Sequence, residues 1–280
     1  MIPATFDYEV AESPEHAIRL LGEREDAKLL AGGHSLIPAM KLRLSRPSLL
    51  VDIGRLSELA YVRDGGEHIA IGALTRHVDV FHDSLLEEHC PIVAYMVTLV
   101  GDHQVRHRGT IGGSLALGDP ASDLPTVVLA LGGELVVRGA DGERTIPAAE
   151  FFTDVFRTAL QPGELLVEVR VPKLASGAGW SYQKLRRRAQ DWATVAVAAV
   201  VDRTNGSLGK AAIGLTNMGA TPLRARAAEE AIAGGAEIEE AAALIPDGTE
   251  PPSDTSASSE FRRHLATVLG RRALEEAASR

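Results

Sequence analysis

The 280-residue sequence predicts an α+β chain built as two domains. Three observations carry that expectation. The first seventy residues alternate strand, helix, strand and hairpin patterns. A run of small residues at 175–179 then leaves the backbone unrestrained and reads as a connector. Beyond it come three β-rich runs and, after them, helical spacing. The boundary is placed in the connector, giving domains 1–175 and 176–280.

Residues 28–31 read as a short buried strand that runs into Gly32-Gly33-His34-Ser35. Helical spacing follows at Leu36, Met40 and Leu44, with Ser35 as N-cap and Pro38 in the first turn. Pro47 ends that helix. Residues 49–53 form a strand, and 59–62 and 68–72 a hairpin across Asp64-Gly65-Gly66. Leu85, Ile92, Tyr95, Met96 and Leu99 predict one buried helix over 84–100. A glycine-rich stretch at 109–114 precedes Asp119-Pro120-Ala121-Ser122-Asp123-Leu124-Pro125 and an apolar helix at 126–131. Residues 134–138 pair with 144–146 across Asp141-Gly142, and a strand at 165–171 ends at Pro172.

In the second domain, runs 180–185, 194–202 and 210–216, with a turn at Asn205-Gly206, predict a three-stranded antiparallel sheet. Helices are expected at 222–233 and 238–244. The Pro-, Ser-, Thr- and Asp-rich stretch 246–258 is a loop. A last helix carries Phe261, Leu265, Val268 and Leu269 on one face.

Composition narrows the function. Lys and Arg total 29 against 38 Asp and Glu, a net charge of -9 that repels phosphate backbones and argues against nucleic-acid binding. Cys90 is the only cysteine, so this chain alone makes no disulfide, Cys-based zinc site or four-cysteine iron–sulfur cluster. No apolar run is long enough to span a bilayer, and residues 1–8 lack a signal-peptide pattern, which makes the cytoplasm the default address. The spacings His77-x4-His82 and His103-x3-His107 match no metalloprotease pattern, and Arg106 and Arg108 oppose a cation. Cys90 reads as a small buried hydrophobe.

Two glycine pairs remain, Gly32-Gly33 and Gly112-Gly113, each followed by a serine, Ser35 and Ser114. A lone pair is ordinary turn punctuation. Two of them, with a helix start behind the first, make backbone N–H pockets that grip a diphosphate from both sides. Neither a P-loop nor an opening G-x-G-x-x-G is present, so such a cofactor needs another architecture. The basic run Lys184, Arg186, Arg187, Arg188 leads to Asp191-Trp192. It reads either as a solvated strand face or as cations set against a cofactor or partner.

Ala31-Gly32-Gly33-His34-Ser35-Leu36-Ile37-Pro38, Gln104-Val105-Arg106, Thr110-Ile111-Gly112-Gly113 and Asp119 through Pro125 resemble the FAD-binding medium subunit of molybdenum hydroxylases, the carbon monoxide dehydrogenase and xanthine dehydrogenase family. The resemblance runs through the final Phe261-Arg262-Arg263-His264-Leu265-Ala266 helix. It implies an FAD-binding domain of the vanillyl-alcohol-oxidase (PCMH) type followed by a small α+β domain. It further implies that Ala31 through Leu36 and Thr110, Ile111, Gly112, Gly113 and Ser114 wrap the FAD diphosphate with amides and hydroxyls. Asp119 and Asp123 belong to the polar motif, with Asp123 contacting the sugar-like chain or adenosine end. Leu166, Lys184 and Val100 match flavin-contacting positions, Val100 standing where the family places a packing aromatic. Thr75 and His77 resemble a segment near the flavin.

His34 replaces a more usual Gln and Ser114 a more usual Asn, and each absent amide hydrogen bond costs about 1 kcal/mol of FAD affinity. Lys184 is expected to set its cation against the reduced, anionic flavin. The implied partners are a large molybdenum-cofactor subunit and a small subunit with two [2Fe–2S] clusters, assembled as a dimer of three-chain units. Electrons pass from the clusters through FAD to NAD, oxygen or a quinone. The alternatives are a stand-alone flavin oxidoreductase on the same fold and a cofactor-free assembly module.

Overall fold

The computed structural model describes residues 1–204 and 207–280. The chain opens with β1 (Asp7–Val10), α1 (Pro14–Glu23), β2 (Lys28–Leu30), α2 (Leu36–Lys41) and β3 (Leu49–Asp52). Ser13 starts α1 by accepting the His16 N–H, and Pro14 occupies the first turn, where its missing N–H is harmless. The three strands form a parallel sheet in the order β1-β3-β2. Ala17, Ile18 and Leu20 of α1 close over it.

Next come β4 (Val62–Asp64), β5 (His68–Gly72), α3 (His77–Phe81), α4 (Ser84–His89), α5 (Pro91–Val97), α6 (His103–Arg108), α7 (Ile111–Leu117) and α8 (Asp123–Ala130). They are followed by β6 (Glu134–Gly139), β7 (Gly142–Pro147), α9 (Ala148–Phe151), β8 (Phe152–Asp154), β9 (Arg157–Thr158) and β10 (Leu165–Pro172). A five-stranded antiparallel sheet, β4-β5-β10-β6-β7, is the centre of this half. Strand β10 is buried on both faces. Leu166, Val169 and Val171 meet the helices, while Leu165 and Val167 meet the parallel sheet across a bulge between Leu166 and Glu168. That two-sided burial explains its nearly unbroken apolar run.

The remainder is β11 (Gly179–Leu185), β12 (Val195–Thr204), β13 (Ser207–Thr216), β14 (Leu223–Arg224), α10 (Arg226–Ala233), α11 (Ile238–Ala243) and α12 (Ser259–Ser279). Its strands pair antiparallel in sequence order. Period-two alternation divides β12 between two cores. Val195, Val197, Ala199 and Val201 face α10–α12, whereas Ala196 and Ala198 join the core of the first half, beside Tyr182 and the α5 and α8 side chains. Gly214 lets α8 lie directly on β13, since a Cβ there would sit 2.7 Å from the Thr126 carbonyl oxygen.

Several expectations are corrected. The helix expected over 84–100 is two, because Pro91 has no N–H to continue α4 and holds Cys90 out of the helical region (φ -148, ψ 55). Cys90 lies buried at this junction, and burial pushes its thiol up to about 12. The hairpin strand begins at Val62, since residues 57–59 form a 3₁₀ turn. The second sheet has four strands, as Leu223 and Arg224 pair with β13 before α10 begins. On α12 the buried stripe is Arg262, Ala266, Leu269, Gly270, Ala273, Leu274 and Ala277, and Phe261 is 47% exposed. The predicted turn at Asn205-Gly206 lies outside the described residues. Among the described residues, no helix is long and apolar enough to cross a membrane.

Candidate functional site

The first glycine segment links β2 to α2. Gly33 takes the left-handed conformation, φ 74, which costs glycine nothing and turns the chain. Gly32 packs against backbone: a Cβ would overlap the Arg108 carbonyl oxygen and lie 2.9 Å from Gly109 Cα. The amides of Gly32, Gly33, His34, Ser35 and Leu36 find no protein acceptor among the described residues. Successive unpartnered N–H groups around a left-handed glycine make an anion-binding concavity. Ser35 does not cap α2, because its backbone is already helical (φ -105, ψ -47) and its hydroxyl makes no cap bond.

The second glycine pair behaves differently. It is the first turn of α7 rather than a loop, with Thr110 as N-cap accepting the Gly113 N–H at 3.2 Å. Ile111 and Gly112 donate to the carbonyls of Thr75 and Ala73 at 3.0 and 2.8 Å, and Ser114 donates to that of Thr110. Gly112 is required for this docking, since its Cβ would stand 2.5 Å from that of Ala73. Free amides therefore occur in the first segment, while the second supplies a wall and hydroxyls. Ser114 Oγ lies 3.1 Å from Ser122 Oγ.

The two segments meet at Gly32 and Gly109 and open into one cleft of about 1100 Å³. Of the residues expected at the cofactor, Ala31, Gly32, Gly33, His34, Ser35, Leu36, His77, Val100, Thr110, Gly112, Gly113, Ser114, Asp123, Leu166 and Lys184 line it. Thr75, Ile111 and Asp119 do not. Thr75 Oγ1 is held by the Tyr61 backbone at 2.9 and 3.0 Å, and Ile111 turns into the core. Asp119 faces a smaller neighbouring pocket beside Arg262. Sequence reasoning missed the far wall, formed by Phe156, Arg157 and residues 160–165, together with Gln190. Trp192 also lines the cleft and is half-exposed, and the aromatic ending the basic run was its only signal.

Two buried groups shape the electrostatics. Lys184 Nζ donates to Asp123 Oδ2 at 2.6 Å and to the Leu99 carbonyl at 3.1 Å, and Tyr182 Oη donates to Asp123 Oδ1 at 2.7 Å. Burial pushes the Asp123 carboxyl up, against the pull of Lys184. His77 is buried with Nδ1 unpartnered, and burial, aided by Arg106 and His34, lowers its pKa from 6.5 to about 4. The folded chain thus holds His77 neutral where the unfolded chain takes up a proton. Stability is whole above pH 6.5 and falls by about 3 kcal/mol on acidification from 6.5 towards 4. Urea denaturation at several pH values should show that slope in the wild type and lose it in His77→Gln; equal slopes in both proteins would contradict the assignment.

A bound FAD fits this cleft. The unpartnered amides suit its diphosphate, and the volume of about 1100 Å³ exceeds the roughly 300–1,000 Å³ of most small-molecule pockets. Fold and site define a dinucleotide-binding flavoprotein. Comparison with known proteins agrees. The family described as "FAD binding domain in molybdopterin dehydrogenase" matches residues 4–174, and "CO dehydrogenase flavoprotein C-terminal domain" matches 180–277. The carbon monoxide dehydrogenase medium chain of Hydrogenophaga pseudoflava is 39% identical, covering 100% of this chain and 99% of its own. The 6-hydroxypseudooxynicotine dehydrogenase complex subunit alpha of Paenarthrobacter nicotinovorans is 39% identical, over 100% and 97%. The solved structure of carbon monoxide dehydrogenase from Hydrogenophaga pseudoflava superposes with a TM-score of 0.96 at 41% identity, covering 100% of this chain and 99% of that one. The chain belongs to the family of FAD-binding medium subunits of molybdenum hydroxylases, oxidoreductase complexes.

Proposed function

We propose that this chain is the electron-transfer flavoprotein of a three-chain molybdenum hydroxylase. In this reading 1–175 is the FAD-binding domain and 176–280 the flavoprotein C-terminal domain. A large subunit hydroxylates the substrate at its molybdenum cofactor, and a small subunit delivers electrons through two [2Fe–2S] clusters. The three chains form a dimer of three-chain units in the cytoplasm. Bound FAD supplies the electron exchange that no amino-acid side chain offers, receiving electrons from the clusters and releasing them to an external acceptor.

The observation that carries this reading is the run of unpartnered amides at residues 32–36 opening into the cleft. Those amides would take the diphosphate, the Thr110 and Ser114 hydroxyls would flank it, and Val100 and Leu166 would pack beside the rings. Lys184 would present a donor from the C-terminal domain. The single cysteine supports placing the clusters on another chain. Related complexes act on substrates as different as carbon monoxide and 6-hydroxypseudooxynicotine while keeping a chain of this kind. Substrate choice is accordingly assigned to the large subunit.

Purification after co-expression with the proposed large and small partner chains tests the reading. The expected product contains all three chains, one flavin per medium chain by visible absorbance, and the spectrum of [2Fe–2S] clusters. A flavin-loaded chain that never co-purifies with the other two would favour a stand-alone oxidoreductase; a three-chain complex with cluster absorbance but no flavin would favour an assembly module.

A further inference from the structure

We infer that Asp123 is a positioning residue for the flavin's redox behaviour, acting through Lys184: the two form one charge-neutral bridge that turns Lys184 from a free cation into a directed hydrogen-bond donor. The inference rests on the reading above, that FAD fills the cleft.

Asp123 opens α8 in the FAD-binding domain, and Lys184 lies on β11 of the C-terminal domain. Their side chains are each 3% exposed and 2.6 Å apart. An ammonium has three N–H groups. Asp123 and the Leu99 carbonyl take two of them, and the third has no protein acceptor among the described residues, on a side chain that lines the cleft. The other Asp123 oxygen accepts from Tyr182, whose hydroxyl lies 3.5 Å from Thr216 Oγ1. Arg186 shares the Leu99 carbonyl at 3.1 Å and its charge favours the Asp123 carboxylate, while the Asp123 charge is felt at Asp119. Each Asp123 oxygen already accepts one bond inside the protein, and within the pair it is the Lys184 ammonium that keeps an N–H to give.

The expectation of an isolated cation beside the flavin is therefore replaced by a pair. Separating two charges buried this deeply is unfavourable, and removing one leaves the other uncompensated. A flavin bound in the cleft would feel two opposite charges, both of which line it. Removing either charge must move the flavin potential in opposite directions, and removing both must largely restore it. A lone-cation role for Lys184 predicts no effect from Asp123, and a purely structural Asp123 would change stability while leaving the potential alone.

Spectroelectrochemical titration of the flavin-loaded full chain, purified with its partner chains, tests this. Asp123→Asn should raise the midpoint potential, and Lys184→Met should lower it. Each should change the reduced-to-oxidised ratio at fixed potential at least tenfold, about 30 mV for a two-electron couple. The Asp123→Asn/Lys184→Met double variant should return close to wild type. An unmoved potential in Asp123→Asn, or shifts that add rather than cancel, would overturn the inference.

Tyr182→Phe changes no charge and serves where Asp123→Asn fails to fold. It removes a donor from the carboxylate, so the acid-side rise in potential should begin at higher pH than in wild type; an unchanged onset overturns the inference equally. A wild-type chain without flavin absorbance would instead refute the reading on which it rests.

Discussion

Replacing Gly32 with alanine should abolish flavin retention while leaving the chain folded. The methyl group would overlap the Arg108 carbonyl oxygen and stand 2.9 Å from both the Arg108 carbonyl carbon and Gly109 Cα. All three atoms are backbone, so no flexible side chain can give way, and residues 32–36 must draw back from 108–110. The unpartnered amides are then displaced from the second segment. Losing two hydrogen bonds to a charged diphosphate removes about 3–6 kcal/mol. That weakens FAD binding by roughly 10²- to 10⁴-fold. Calorimetry on the apoprotein and flavin content after desalting measure the effect, and an unchanged circular dichroism spectrum separates it from misfolding. A Gly32→Ala protein with wild-type affinity would show that the close approach of the two segments is dispensable.

Gly179→Ala should act on stability instead. Gly179 begins β11, paired with Val201, and a Cβ there would overlap the Ala277 carbonyl oxygen and sit 2.8 Å from its carbon. Helix α12 packs along β11 and β12 with Ala273, Leu274 and Ala277 fully buried, so its last turns cannot slide without opening the second core. Overpacking against fixed backbone costs about 3 kcal/mol. For a chain of this size that corresponds to a fall in Tm of roughly 6–12 °C. Differential scanning calorimetry reads it directly, and a Tm within a degree of wild type would mean that the helix end is looser than its packing indicates.

The parts of the fold legible in the sequence were those with a local cause. The Asp141-Gly142 turn fixes the β6–β7 pairing, and Pro172 ends β10 as expected. What escaped depended on tertiary partners. Leu223 and Arg224 are a strand only because β13 offers an edge, and the β8–β9 wall of the cleft exists only once the chain has folded back. Glycines at 112–113 suggested a loop because isolated glycine pairs break helices. Here Ala73 leaves no room for any side chain at Gly112, and that contact selects glycine inside a helix.

The same limit applies to the site. The motifs marked segments that line one cleft, but adjacency in sequence does not say which way a side chain turns. Helical rotation sends Ile111 into the core while Gly113 and Ser114 face the cleft. Lys184 was legible as a cation, whereas its pairing with Asp123, sixty-one residues away, was not.

The alternation along β12 has one more consequence. Because Ala196 and Ala198 complete the apolar interior of the other half, swinging the halves apart would strip a greasy interior surface bare in water. Opening the halves would therefore carry a cost in exposed apolar area, and the closed arrangement keeps both walls of the cleft in place.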